Sequence, residues 1–130
     1  MRTEIYDYID GLSKGTFTLS AQLPWTQDGV ALHLKNFKTI YVDMDDVTHD
    51  TILSTMDGLT FENETTTVRV YFTTDAKQLP TNYETLVAAI RNARDLTAIT
   101  GVTQRQADVS RTFESDAMVT EIEFRFTKLI

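Results

Sequence analysis

Asp43, Asp45, Asp46, His49 and Asp50 crowd into one stretch, IYVDMDDVTHD at residues 40–50. Carboxylates this close, with an imidazole beside them, have the donor types to hold a divalent metal or to pass protons. A calcium loop of the EF-hand type needs oxygen ligands at alternate positions, a central glycine and a glutamate at the twelfth. Counting from Asp43, the fifth position is Val47, the sixth Thr48 and the twelfth Ser54, which excludes that loop. Were the preceding strand to continue, Asp43 and Asp45 would share one face and Asp46 would take the other. A metal-dependent hydrolase built on these aspartates stays open as an alternative, although no local Lys or Arg stands ready to meet a phosphate. A solvated acidic loop is the simpler reading.

Nucleophilic catalysis has less to work with. The chain has two histidines and no cysteine, and its five glycines are scattered, with no GxSxG elbow, phosphate-cradling loop or dinucleotide fingerprint. His33 sits between Leu32 and Leu34 on the polar side of an alternation, so it is expected to face water. The expectation is a protein that is not an enzyme and takes no cofactor. Calorimetry with magnesium, manganese and calcium on an Asp43→Ala, Asp45→Ala double variant would test the hydrolase alternative.

Length and composition set the frame for these residues. With 130 residues, 42% hydrophobic and 24% charged, one domain over 1–130 with its own core is expected. No apolar run reaches about 18 residues, and the amphipathic start MRTEIYDYIDGL lacks the apolar stretch of a secretion signal. No membrane partner is expected. The net charge of −7 is localised: residues 41–64 hold seven acids and no Lys or Arg, which leaves 19 − 7 = 12 acids against 12 bases elsewhere. Such a field repels nucleic acid phosphates.

The elements follow from periodicity. Ile5, Tyr8, Ile9 and Leu12 mark a first helix, with Thr3 as N-cap and Gly15 past its end. FTLSAQLPW alternates as a strand closed by Pro24, QDG at 27–29 marks a turn, and Val30, Leu32 and Leu34 alternate after it. FKTIYVDM at 37–44 is a strand, the acidic stretch with an Asp57-Gly58 turn is a loop, and TTTVRVYFTT at 65–74 is a strand. Its Val68, Val70 and Phe72 share one face, and Arg69, Tyr71 and Thr73 the other. Thr81 and Glu84 have capping-box spacing ahead of a helix striped by Tyr83, Leu86, Val87, Ile90 and Ala93. Residues 95–116 are polar, suited to exposed strands or a long hairpin. MVTEIEFRFTKLI closes the chain as a strand, with Met118, Ile122, Phe124 and Phe126 inward and Glu121, Glu123 and Arg125 outward. The fold class is α+β: two α-helices packed on a mostly antiparallel β-sheet. Tyr41, Arg69, Tyr71, Arg91 and Arg94 are candidates for a subunit interface, since Tyr and Arg are enriched at such surfaces.

Taken in order, FKTIYVDMD, then TTVRVYFTTDAKQLPTNYETLVAAI as strand, Pro-containing loop and helix, then DAMVTEIEFRFTKLI, resemble the tail terminator proteins of long-tailed bacteriophages of the lambda type. The segment Thr16 to Asn36 is longer than the family's usual link. The resemblance implies a structural role in the virion. A homo-oligomeric ring, a hexamer in that family, caps the head-proximal end of the tail tube, stops the tube protein from polymerising and presents a surface to the head-completion or neck protein. DNA passes through the channel without specific binding. Asp43, Asp45, Asp46 and Asp50 would then line the lumen or its rim and repel phosphate. Localisation would be the virion tail or neck, with host cytoplasm during assembly. A related head–tail joining or tail-completion protein is the nearest alternative.

Overall fold

The computed structural model describes residues 1–54, 58 and 60–130. Its backbone runs α1 (Arg2–Asp10), β1 (Thr18–Leu19), α2 (Leu32–Lys35), β2 (Thr39–Val42), β3 (Asp46–Ser54), β4 (Thr60–Asp75), α3 (Tyr83–Arg91), a 3₁₀ turn (Asn92–Asp95), β5 (Gln104–Glu114) and β6 (Ala117–Leu129). The class is α+β, a six-stranded sheet that is antiparallel except where β1 joins β2. The order across it is β1-β2-β4-β6-β5, and β3 also pairs with β4. β4 is the spine. Its far half takes β2 (Tyr41 opposite Tyr71), and its near half takes β3 (Asp46 opposite Thr67) along the same edge.

The inward stripe of each element builds one core. Val68, Val70 and Phe72 of β4, with Ile122, Phe124 and Phe126 of β6, meet Ile5 and Ile9 of α1 and Leu86, Val87 and Ile90 of α3. Phe72 lies edge-on to Phe17 (centroids 5.4 Å apart) and to Tyr83 (6.0 Å). The Tyr8 hydroxyl donates to Ala89 O at 2.8 Å and pins α1 to α3. α1 carries no cation in its last turn, but the Lys14 ammonium folds back onto the carbonyls of Ile9, Asp10 and Leu12. It satisfies the acceptors that a helix end leaves open. Arg105 does the same for the connection after α3, donating to Arg94 O (3.1 Å), Leu96 O (2.9 Å) and Ile99 O.

Several expected elements differ. Thr3 lies inside α1, whose N-cap is Met1, and Gly11 ends that helix before Gly15. The expected strand through FTLSAQLPW is reduced to Thr18–Leu19, because Ser20 Oγ accepts from Gln22 N–H and turns the chain before Pro24, which has no N–H to offer a ladder. The turn at 27–29 is present, with Gly29 at φ 80°, but Leu32–Lys35 then forms a helix, not a strand. Three alternating residues fit one helical turn as well as a short strand. Within the 16–36 segment the expected hairpin is replaced by the short β1, which pairs in parallel with β2, an isolated Trp25–Ala31 bridge and α2. The acidic stretch, expected as a loop, is largely β3. The Asp57-Gly58 turn falls partly outside the described residues. α3 starts from Asn82 with no side-chain cap, so the Thr81–Glu84 capping box is not formed.

Candidate functional site

The aspartates that drew attention go to different partners. Asp45 accepts the Met1 ammonium at 2.8 Å and the Arg2 backbone N–H at 2.8 Å. Met1 brings no side-chain cap of its own, so a carboxylate 44 positions away serves the start of α1. Asp43 accepts from the Met44 N–H. Asp46 lies 3.7 Å from Arg69 Nη1. His49 meets Glu64 across the β3–β4 ladder at 3.1 Å, and Lys128 reaches the same carboxylate at 3.2 Å. The hydrogen bonds from Lys128 and His49 hold Glu64 below the usual carboxylate range. Among the described residues no three His, Asp or Glu side chains converge on a point where a metal could sit, and the metal-hydrolase arrangement is not assembled.

The Asp45 contact yields a prediction. Burial works against the Met1 ammonium, but the bond and charge of Asp45, with Glu4, outweigh it and raise the amine above its ordinary 8.0. A raised amine pKa means the pairing stabilises fully below pH 8.0 and fades as pH climbs through the folded value. Asp45→Ala should cost about 0.5–1 kcal/mol, read by urea titration at neutral pH. It should also flatten the alkaline fall in stability seen in the parent chain.

The expected interface residues divide. Tyr41 and Tyr71, expected at an exposed face, are buried within the chain. The Tyr41 hydroxyl accepts from Asn36 Nδ2 at 2.9 Å. Tyr71 stacks on His33 (4.9 Å, 22°) and takes Trp25 edge-on at 4.9 Å. Burial, with Glu121 beside it, pushes the Tyr71 phenol up to about 12. The cause is α2 and the Trp25 loop, which cover this end of the sheet's second face, so His33 is buried too and does not face water. Arg69 is occupied by Glu123 (3.1 Å), Glu121 (3.4 Å) and Asp46. Arg91 remains exposed, and Arg94 is half-buried.

Two groupings had no sequence signal. The Trp25–His33–Tyr71 cluster joins residues from three segments, and nothing in their spacing foretells it. The second is a row of ion pairs across the open sheet face: Asp46, Arg69, Glu123, Arg125 and Asp108, the last pair at 3.0 Å. Alternation showed that Glu121, Glu123 and Arg125 point outward, but register alone brings them opposite Arg69 and Asp108. Burial, then Glu123, raises the Glu121 pKa, with Arg69 opposing.

His33 gives a second pH prediction. Desolvation lowers its pKa below 6.5, only partly offset by the Pro24 carbonyl and the more distant Glu114 and Asp43. The unfolded chain therefore takes up a proton near pH 6.5 that the folded chain refuses. Stability is complete above pH 6.5 and falls as pH drops toward the folded value. His33→Gln should remove this component from a melting-temperature profile.

No family model matches this sequence, and no curated protein matches it. Among solved structures, a chain of "Virion of native gene transfer agent (GTA) particle" is similar at 17% identity, covering 98% of this chain and 92% of that one, with a TM-score of 0.43. A likeness at that score carries no weight for fold or role.

Proposed function

We propose that this chain is a non-catalytic structural protein of a long-tailed phage particle, assembling with copies of itself into a ring that ends the tail tube on its head-proximal side and joins it to the neck. The resemblance of three stretches supports this, and those stretches supply β2, the β4–α3 unit and β6, the parts that share one core.

The observation that carries the reading is the division of the sheet into two faces. One is covered by α1 and α3. The other, beyond the Trp25 corner, is open and charged. Asp46 and Asp50 lie on that open face with Asp108, Glu121 and Glu123, and the strand cations sharing it among the described residues are Arg69 and Arg125. A ring that turned this face inward would have a net negative wall, along which packaged DNA slides without sticking. In this proposal Asp43, Asp46 and Asp50 line the lumen or its rim. Asp45 contributes charge there while holding α1. Arg91 and Arg94 sit on the subunit boundary.

Mass measurement in solution with negative-stain imaging tests the ring, and addition to polymerising tail tube protein tests the cap. Closed rings and arrested tube growth are expected. A chain monomeric at every concentration, or tubes that elongate unchecked, would overturn the reading. An assembled structure with those aspartates more than a Debye length, about 8 Å, from the channel would remove the lumen assignment alone.

A further inference from the structure

We propose that neighbouring copies join by β-strand addition, the free edge of β3 in one copy pairing antiparallel with the free edge of β5 in the next, with Val47–Thr51 set against Val109–Phe113. This rests on the ring reading and names the contact that would build it.

The backbone hydrogen bonds fix the directions in which each strand presents its N–H and C=O groups. Asp43 N–H and Lys38 N–H donate to the carbonyls of Arg69 and Thr73, so odd-numbered residues of β4 present their backbone toward β2 and β3. Opposite them, Asp46, Thr48 and Asp50 point inward to the ladder. The N–H and C=O groups of Val47, His49 and Thr51 therefore point away from the sheet. On the other side Thr103 N–H donates to Thr127 O, which sets Gln104, Gln106, Asp108 and Ser110 inward and leaves Val109, Arg111 and Phe113 facing out.

Each open edge is bounded. β3 begins at Asp46 and its ladder slips between Thr51 and Leu53. On β5, Arg91 Nε donates to Ala107 O and closes that end, and the hairpin turn at Ser115 closes the other. β1 covers β2, so no second free stretch competes there. Among the described residues no hydrogen bond reaches the outward groups between these limits. Edges of this length are ordinarily blunted or covered.

Polarity and side agree. β3 and β5 run antiparallel within one chain, so a copy set alongside without being turned over presents β3 antiparallel to its neighbour's β5. The outward residues of both edges carry side chains on the helix-covered face of the sheet, as directly opposed partners must. In the proposed register Val47, 46% exposed, meets Phe113, 65% exposed, and Thr51 meets Val109. His49 meets Arg111, Thr48 meets Thr112, and Asp50 meets Ser110. Asp46 and Glu114 meet at the solvent-exposed end, the one unfavourable pair. Charge selects this contact over its symmetric rivals. Pairing β3 with β3 would bring together two strands that each carry Asp46 and Asp50 and no Lys or Arg, and pairing β5 with β5 about the middle of its free stretch, Val109–Phe113, would oppose Arg111 with itself. Across the heterologous contact the acidic strand β3 approaches Arg91, Arg94 and Arg111. Glu84 and Asp95 already partner Arg111 and Arg94, whereas among the described residues no carboxylate comes within ion-pair distance of Arg91.

The absence of cysteine makes the test clean. Thr48→Cys with Thr112→Cys places a thiol pair at a non-hydrogen-bonded position, where cross-strand Cβ atoms are close enough to bridge. Mild oxidation should give a ladder of covalent multimers, and an equimolar mixture of the two single variants should give one-to-one dimers that neither single variant forms alone. Thr48→Cys with Ser110→Cys, two residues out of register, should cross-link at least tenfold more slowly. Independently, His49→Pro and Val109→Pro each remove one outward N–H while sparing the pairing inside the chain. Both should be monomeric and folded, and their mixture should stop at a heterodimer. If the parent chain forms rings and the cysteines do not bridge, the edge contact is wrong and the ring stands. Self-linking of Thr48→Cys alone would point to a symmetric contact and overturn the proposal. A parent chain monomeric at all concentrations removes both readings.

Discussion

Phe72→Ala lowers the stability of the chain by about 3–5 kcal/mol, the largest single loss expected anywhere in the molecule. Phe72 is fully buried near the C-terminal end of β4 and its ring is held edge-on by Phe17 and by Tyr83. Alanine removes the transferred area and both aromatic contacts, and the neighbours cannot collapse into the gap. Phe17 is fixed beside β1, and the Tyr83 hydroxyl is tied to Thr120 at 2.6 Å with Arg111 Nε donating to it at 2.9 Å. A loss of that size is a large share of the roughly 5–15 kcal/mol by which a typical domain is stable. Urea denaturation read by circular dichroism should show the midpoint falling with the slope unchanged. A loss under about 1 kcal/mol would mean that the core repacks around the site.

Arg105→Met is the second large expectation, at about 2–3 kcal/mol. One guanidinium donates to three carbonyls, Arg94, Leu96 and Ile99, and so holds the connection from α3 back to β5. Methionine keeps much of the aliphatic stem but leaves those acceptors without a donor. Water recovers part of the loss because the site is only half-buried, so the figure is set well below three separate charge-assisted bonds. Arg105→Lys should recover a minority of it, since an ammonium lacks the planar fork that reaches several acceptors at once. Amide exchange should quicken across 94–103 in the Met variant, and protection unchanged there would refute the role.

The parts of the fold that periodicity exposed are those with one dry face. The α3 stripe, the inward residues of β4 near Phe72 and the β6 alternation each bury one side, and the pattern survives in the residue types. β3 did not announce itself, because Val47, His49 and Thr51 on one side and Asp46, Thr48 and Asp50 on the other are both wet. Its order comes from β4's backbone, not from its own side chains. The second layer was hidden for another reason. Tyr71 and Thr73 alternate with the core residues as outward positions, and only the looping of residues 20–36 over that face buries them. The acidic site was legible as composition but not as chemistry. The ties of Asp45 to Met1 and of Asp46 to Arg69 join positions with no local spacing to betray them.

The β4–β6 ladder runs through thirteen opposed pairs, from Asn63 with Leu129 to Asp75 with Ala117. A tension applied along the strands would strain those rungs simultaneously, in shear, whereas a pull across them would open one rung after another as a zipper. The molecule is accordingly stiff in one direction and soft in the other. A protein mounted with its strands along the line of force could pass a mechanical load from end to end through two strands while its helices carried almost none.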